Sequence, residues 1–264
     1  MDKTKKHNNY FLSRFLSLII MKHSTLLFAI LFIASPVFIS CIYVNKPIYG
    51  NYQLVNQQIN IDDYESVILS VPAEVFYQQF SDSAPYLQIH TDENILKALN
   101  VRVENNQLII DVKKDSVIRP SQLTIYTCSH NLNQAIVTGS GTIRLKGEVN
   151  AKDFNAGITG SGSLLTDSLL CNHLTAKVTG SGNAQLTGAS NNSSFTITGS
   201  GNIRAFDYLV QELQCRITGS GNIEATVNSK LDINITGSGN ISYRGNPQSI
   251  NNNITGSGKV RAVN

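Results

Sequence analysis

The chain contains no tryptophan, and aromatic residues make up only 8% of its 264 positions. Charged residues are also few, at 15%, and the net charge of +3 is carried by scattered Lys and Arg. So small and dispersed a positive charge excludes a nucleic-acid footprint. The cysteines include no CxxC pair and no His stands at metal-ligand spacing, so neither a zinc site nor a cofactor is indicated. Beyond Cys41 the only histidines are His90, His130 and His173, and no G-x-S-x-G motif accompanies them. Serine catalysis needs a strained Ser within reach of an oriented His, which this pattern does not offer. Helix formers are scarce, whereas Gly, Ser, Thr, Asn and β-branched residues are plentiful. That balance predicts an all-β chain.

One long apolar run stands near the start. Met21-Lys22-His23 precedes LLFAILFIASPVFIS, which leads to Cys41. A basic start, an apolar centre and small residues before a cleavage point describe an export signal, too short for a comfortable membrane span. The stretch FISC (Phe38–Cys41) resembles the lipobox of bacterial lipoproteins, with Phe38 where that motif usually has Leu. On that reading Cys41 is lipidated and becomes the first mature residue, anchoring the protein in the outer membrane. The alternative is an uncleaved anchor helix, to which FLSLII ahead of Met21 would contribute. We read Met21 as the true start, residues 1–40 as the signal segment, and residues 41–51 as lipidated Cys and tether. The IYVNKP that follows Cys41 holds no acidic run to indicate export to the cell exterior, so the membrane face stays open.

The rest of the chain repeats itself. TGSG recurs seven times, and its corner residues are Thr138, Gly139 and Gly141; Thr159, Gly160 and Gly162; Thr179, Gly180 and Gly182; Thr198, Gly199 and Gly201; Thr218, Gly219 and Gly221; Thr236, Gly237 and Gly239; and Thr255, Gly256 and Gly258. The steps between them are 21, 20, 19, 20, 18 and 19 residues, a solenoid period. One residue before each Thr stand Val137, Ile158, Val178, Ile197, Ile217, Ile235 and Ile254. Three before stand Ala135, Ala156, Ala176, Phe195, Cys215 and Ile233, with Asn252 breaking the row. Five after stand Ile143, Leu164, Ala184, Ile203, Ile223, Ile241 and Val260. This is period 2, apolar inward and polar outward, on two strands flanking each TGSG. A helix would lose about 2 kcal/mol to the two glycines of each copy. A right-handed parallel β-helix-like solenoid of roughly 20-residue coils is the predicted fold, its Gly corners using positive φ. Each coil is then strand, corner, strand and a more variable third stretch. Thr, Ser and the amides Asn183, Asn202, Asn222 and Asn240 would stack in ladders.

A Gly-rich loop cradles phosphate when a helix N-terminus stands behind it, but a strand follows every TGSG. These are structural corners. Cys171 and Cys215 fall in different columns about two coils apart, roughly 10 Å and beyond disulfide reach, so both are expected as buried free thiols.

Residues 52–129 are β-rich but lack TGSG and are expected to cap the solenoid of residues 130–264. VRVENNQLIIDV (101–112) predicts a hairpin about Asn105-Asn106, and QLTIYTC (122–128) a strand. TDENILKALN (91–100) predicts a two-turn helix capped by Thr91, with Ile95, Leu96 and Leu99 on one face. An export signal, an acidic DENIL segment, a VxVxxxxLxI hairpin and repeated GSG corners, in that order, resemble the putative auto-transporter adhesin family with the head GIN domain, over about residues 55–264. The resemblance implies a β-helix-like fold and a role in adhesion, and carries over no catalytic residue.

Polysaccharide lyases and glycosidases are the enzymatic alternative on such a fold. They need paired carboxylates, and the repeat's Glu148, Asp153, Asp167, Asp207, Glu212, Glu224 and Asp232 scatter over different offsets. Asp62-Asp63 and Asp92-Glu93 are calcium candidates, against a solvated loop and a helix N-terminal turn. Phe206, Tyr208 and Tyr243 are candidates to stack on sugars, against inward packing. The expectation is a non-enzymatic, lipid-anchored envelope protein whose solenoid binds a glycan, a host protein or an envelope component. A further alternative is an assembly module pairing through solenoid ends, because the last coil lies close to Asn264.

Overall fold

In a computed structural model of the protein, residues 46–263 are described apart from 81 and 115. Cys41 and residues 1–40, read above as a signal segment, lie outside the described residues. The elements are β1 (Ile48–Tyr49), β2 (Leu54–Asn60), β3 (Ser66–Leu69), β4 (Glu74–Gln79), β5 (Tyr86–Asp92), α1 (Glu93–Ala98), β6 (Leu99–Glu104), β7 (Gln107–Val112), β8 (Ile118–Arg119), β9 (Leu123–Ser129), β10 (Gln134–Gly139), β11 (Thr142–Gly160), β12 (Ser163–Gly180), β13 (Asn183–Gly199), β14 (Asn202–Gly219), β15 (Asn222–Gly237), β16 (Asn240–Arg244), β17 (Ser249–Gly256) and β18 (Lys259–Ala262).

Strands β10 to β18 stack in parallel as a β-solenoid of about six turns. The TGSG copies sit in register, Thr over Thr and Gly over Gly. The third stretch of each coil, expected to be more variable, is strand as well: β11 to β15 run unbroken from one corner to the next over 16 to 19 residues. Coils of unequal length stay in register because the surplus is taken up at a few places. Register shifts fall between Leu145 and Glu148, Leu165 and Leu169, Gln185 and Thr187, and Ala205 and Leu209, with a further one between Val210 and Glu212.

The inward rows form the core. Val137, Ile158, Val178, Ile197, Ile217 and Ile235 are all at most 2% exposed, whereas Ile254 in the last coil is 39% exposed. The same row runs back into Leu69 and Ile110, and the Ala135 row into Val67 and Leu108. Past the corner, Ile143 stacks on Val75, Ile125 and Ile89. The segment before the repeat therefore continues the same ladders, and ends them with strands of opposite sense: β6 is antiparallel to β7, and β5 to both β9 and β2. The β6–β7 turn is Asn105 and Asn106, at φ 52° and 60°, as a two-residue hairpin turn requires.

Each TGSG carries two glycines for two different reasons. The first has φ between 102° and 124°, the region where a side chain is strained, and from Gly160 onward a Cβ there would also overlap the first-Gly carbonyl of the coil below. The second does not need positive φ; it is pressed against the coil below. A Cβ on Gly162, Gly182, Gly201 or Gly221 would overlap Val137, Ile158, Val178 or Ile197 respectively. The corner is thus narrow because the inward β-branched residue of one coil sits beneath the second Gly of the next.

The short helix departs from expectation. It begins at Glu93, and Thr91 is a buried residue of β5 whose hydroxyl donates to Gln122 O at 2.7 Å. Asp92 occupies the N-cap position but makes no capping bond. Its buried carboxylate instead accepts Tyr52 N at 2.8 Å, Ser121 N at 2.8 Å and Ser121 Oγ at 2.6 Å. Leu99 belongs to β6, and Ile95 is the helix's fully buried side chain.

Candidate functional site

At the TGSG corners the backbone and the Asn row bond along the stack. The N–H of the corner Ser donates to the first-Gly carbonyl of the preceding coil at 2.8–2.9 Å, six times over. Asn202, Asn222 and Asn240 each donate to the amide oxygen of the Asn one coil before, at 2.9, 3.0 and 3.0 Å. The corner Thr and Ser are mostly exposed, but the depressions in the surface lie beside another bend of the coil.

That surface follows another bend, seven residues before each corner Thr. The column there reads Asn131, Lys152, Asn172, Asn191, Gln211, Ser229 and Gln248. The strand ladder skips Lys152, Asn172 and Asn191, so the chain turns at this column. Asn191 Nδ2 donates to Asn172 Oδ1 at 3.3 Å and Ser229 Oγ to Gln211 Oε1 at 3.4 Å. An amide offers two donors and two acceptor lone pairs, so most of the column's capacity faces outward.

Three adjoining depressions of about 660, 450 and 390 Å³ form an open trough beside it: Asn131 and Lys152 line the second and Asn172, Asn191 and Gln211 the third, while the first lies to one side of the column. The first and second share Glu65, Asn133 and Asp153; the second and third share Asn150 and Ala151. At the wide end Asn105 and Asn106 of the hairpin overhang it. One wall is the in-register series Asn150, Leu170, Ala189 and Leu209, with Leu209 38% exposed. Across the bend, Asp153 and His173 line the first depression; Asn192 and Glu212 continue their row in register but line none of the three. The carboxylates here are hydrogen-bonded locally: His173 Nδ1 bonds Asp153 Oδ1 at 2.8 Å, and Asn133 Nδ2 donates to Glu65 Oε2 at 2.9 Å. Gln79 pins the neighbouring turn, donating to His130 O at 3.0 Å and accepting Asn150 N at 2.7 Å.

The other candidates are placed as follows. Cys41 is outside the described residues. Asp63 bonds both the backbone N–H and the ring of His130, at 3.2 and 2.8 Å. Burial acts to raise its pKa, but the His130 bonds outweigh it and hold the carboxyl below the usual range. Asp92 is no solvated helix turn but a buried clamp. Burial works against its charge, yet the Ser121 and Tyr52 donors more than offset this and depress its pKa. Among the described residues no three His, Cys, Asp or Glu side chains gather to hold a metal ion. Of the repeat's acids, Asp167 pairs with Lys146 at 2.7 Å, Asp232 with Lys230 at 2.8 Å, and Glu224 lies beside Arg204.

Cys128, Cys171 and Cys215 are free thiols. Cys215 is buried in the Phe195 row, and burial pushes its pKa up. Cys171 differs from expectation in being only half-buried, on the trough, with its Sγ 3.3 Å from Tyr208 Oη. Tyr208 is fully buried and offers no face to a sugar. It lies in register with Gly188, and its hydroxyl donates to Ala189 O at 3.1 Å. Phe206 is covered by the Arg244 guanidinium, 4.2 Å from the ring centre, and Tyr243 packs half-buried on the core. An outward aromatic pair does exist, Phe76 and Tyr126, stacked at 5.2 Å across β4 and β9. Sequence reasoning missed it because the two residues are 50 positions apart and outside the repeat. The trough's column is periodic in the sequence, seven positions before each corner Thr, but a periodic polar row does not by itself mark a groove.

Among the described residues no helix is long and apolar enough to cross a membrane. Over residues 63–247 the chain matches the family described as "Putative auto-transporter adhesin, head GIN domain". No curated protein matches it. Among solved structures, a putative adhesin from Bacteroides fragilis superposes with a TM-score of 0.78 at 22% identity, over 82% of this chain and 100% of that one. A putative lipid binding protein from Parabacteroides distasonis gives 0.72 at 31% identity, over 83% and 100%. A putative adhesin from Parabacteroides merdae gives 0.67 at 26% identity, over 82% and 99%.

Proposed function

Because the chain belongs to the putative auto-transporter adhesin, head GIN domain family, we propose that it is a non-enzymatic adhesin of the bacterial cell envelope. A lipid on Cys41 holds it to the outer membrane, and the outside of the solenoid takes the ligand. The observation that carries this reading is the trough: a long, open surface of in-register polar side chains whose carboxylates are hydrogen-bonded within the surface. Such a surface suits retention of an extended polar partner. The enzymatic alternative needs two carboxylates that flank a bond. The carboxylates of the trough are instead engaged with His173 and Asn133.

The Parabacteroides distasonis relative suggests a lipid as ligand. Here the coil interior is filled by stacked Val and Ile, so a lipid too would have to lie outside, against a largely polar surface.

Full-length protein in detergent, incubated with mucins and a panel of polysaccharides, tests the proposal through retention and cleavage together. Retention without released oligosaccharide is expected; released oligosaccharide would overturn the non-enzymatic reading. Cys41→Ala should abolish membrane partitioning and change the mature mass, and a variant unchanged in both refutes the lipid anchor.

A further inference from the structure

Resting on the adhesin reading, we propose that the trough along the second bend is a lengthwise binding site for an extended, uncharged polysaccharide. Three features of the trough point to that ligand.

Its floor is amide. Asn172, Asn191 and Gln211 are spaced by one coil, about 4.8 Å per step, and each presents donors and acceptors side by side, as sugar hydroxyls require. From Asn131 to Gln211 the column spans four steps, roughly 19 Å, and is open along its length. That is room for a chain lying along the axis, and too shallow to enclose a compact ligand.

Its wall is partly aliphatic. Leu170 and Leu209 stand half-buried to exposed beside the amides. A pyranose ring has the matching division, an apolar C–H face and a hydroxylated rim. One wall can take the face while the floor takes the rim.

Its charge is sparse. Lys152 is the one Lys or Arg lining the three depressions, Glu65 and Asp153 are their two carboxylates, and the third depression is lined by no charged residue. A polyanion would meet one cation and two carboxylates. A peptide strand would find no open edge here, because the coils on either side are joined in continuous ladders, and edge pairing is what gives such peptides their affinity.

The test uses full-length protein in detergent with two neutral probes, dextran and laminarin, and two polyanions, alginate and heparin, each at low and high salt. Binding of a neutral probe that is unchanged by salt is expected, since screening acts on charges. Asn172→Ala combined with Asn191→Ala should weaken it about tenfold. Asn202→Ala combined with Asn222→Ala, in the corner ladder, should leave it unchanged. Preference for a polyanion, or undiminished binding by the trough variant, overturns the site. If neither neutral probe binds while the protein still retains mucin, the ligand class is wrong and the adhesin reading stands. If mucin is not retained either, both fall.

Discussion

At the residue scale the corner glycines separate two requirements that one motif hides. Gly180 needs positive φ, at 109°, and Gly182 needs the absence of a side chain above Ile158. The two should respond differently to change below them. Ile158→Ala removes a fully packed side chain and should cost about 2–5 kcal/mol. It also makes room under Gly182. Gly182→Ala and Ile158→Ala together should therefore cost about 1 kcal/mol less than their sum, whereas Gly180→Ala and Ile158→Ala should add. Denaturant unfolding of the single and double variants measures both couplings, and equal couplings would refute the distinction.

Among elements, Asp92 joins the end of β5 to two separate segments, at Tyr52 and Ser121, 40 and 29 residues away. Its neighbour Asn94 holds the same strap, accepting Asn51 N at 3.1 Å and donating to Tyr49 O at 2.7 Å. Because the Asp92 pKa is depressed in the folded state, ionised Asp92 contributes stability above the unfolded carboxyl value of about 4. That contribution is lost as pH falls through the lower folded value. Asp92→Asn should accordingly be less stable than the parent by a constant amount above about pH 5, with the gap narrowing below about pH 4. A melting series from pH 7 to pH 3 checks this; a gap that widens on acidification would contradict it.

For the whole molecule the relevant property is that each coil packs only on its neighbours. A side chain in the middle has a coil on both sides, and one in the last coil has a coil on one. Ile197 is 0% exposed and Ile254 is 39% exposed in the same row. Ile197→Ala should cost about 2–5 kcal/mol, and Ile254→Ala less than half as much. Comparable losses in thermal unfolding would show that the last coil is covered in solution. The same one-dimensional order builds the trough, since any polar residue repeated at a fixed offset becomes a continuous outer row.

The fold was legible because its determinants are local and repeated. Alternation around TGSG names the inward rows, β-branched residues and glycines fix strand and corner, and a near-constant step stacks them. No distant contact is needed to reach a solenoid, and the hairpin at Asn105-Asn106 is likewise a local matter. Tertiary structure decided what depends on contacts far apart in the chain. Asp92 read as a calcium candidate or a residue of a helix N-terminal turn and became a buried clamp because Tyr52 and Ser121 arrive from elsewhere. Tyr208 was a candidate to stack on a sugar and is buried, its hydroxyl held by Ala189 and Cys171 of earlier coils. The trough is intermediate: its column is periodic in the sequence, but only the stacked coils place that column beside a groove.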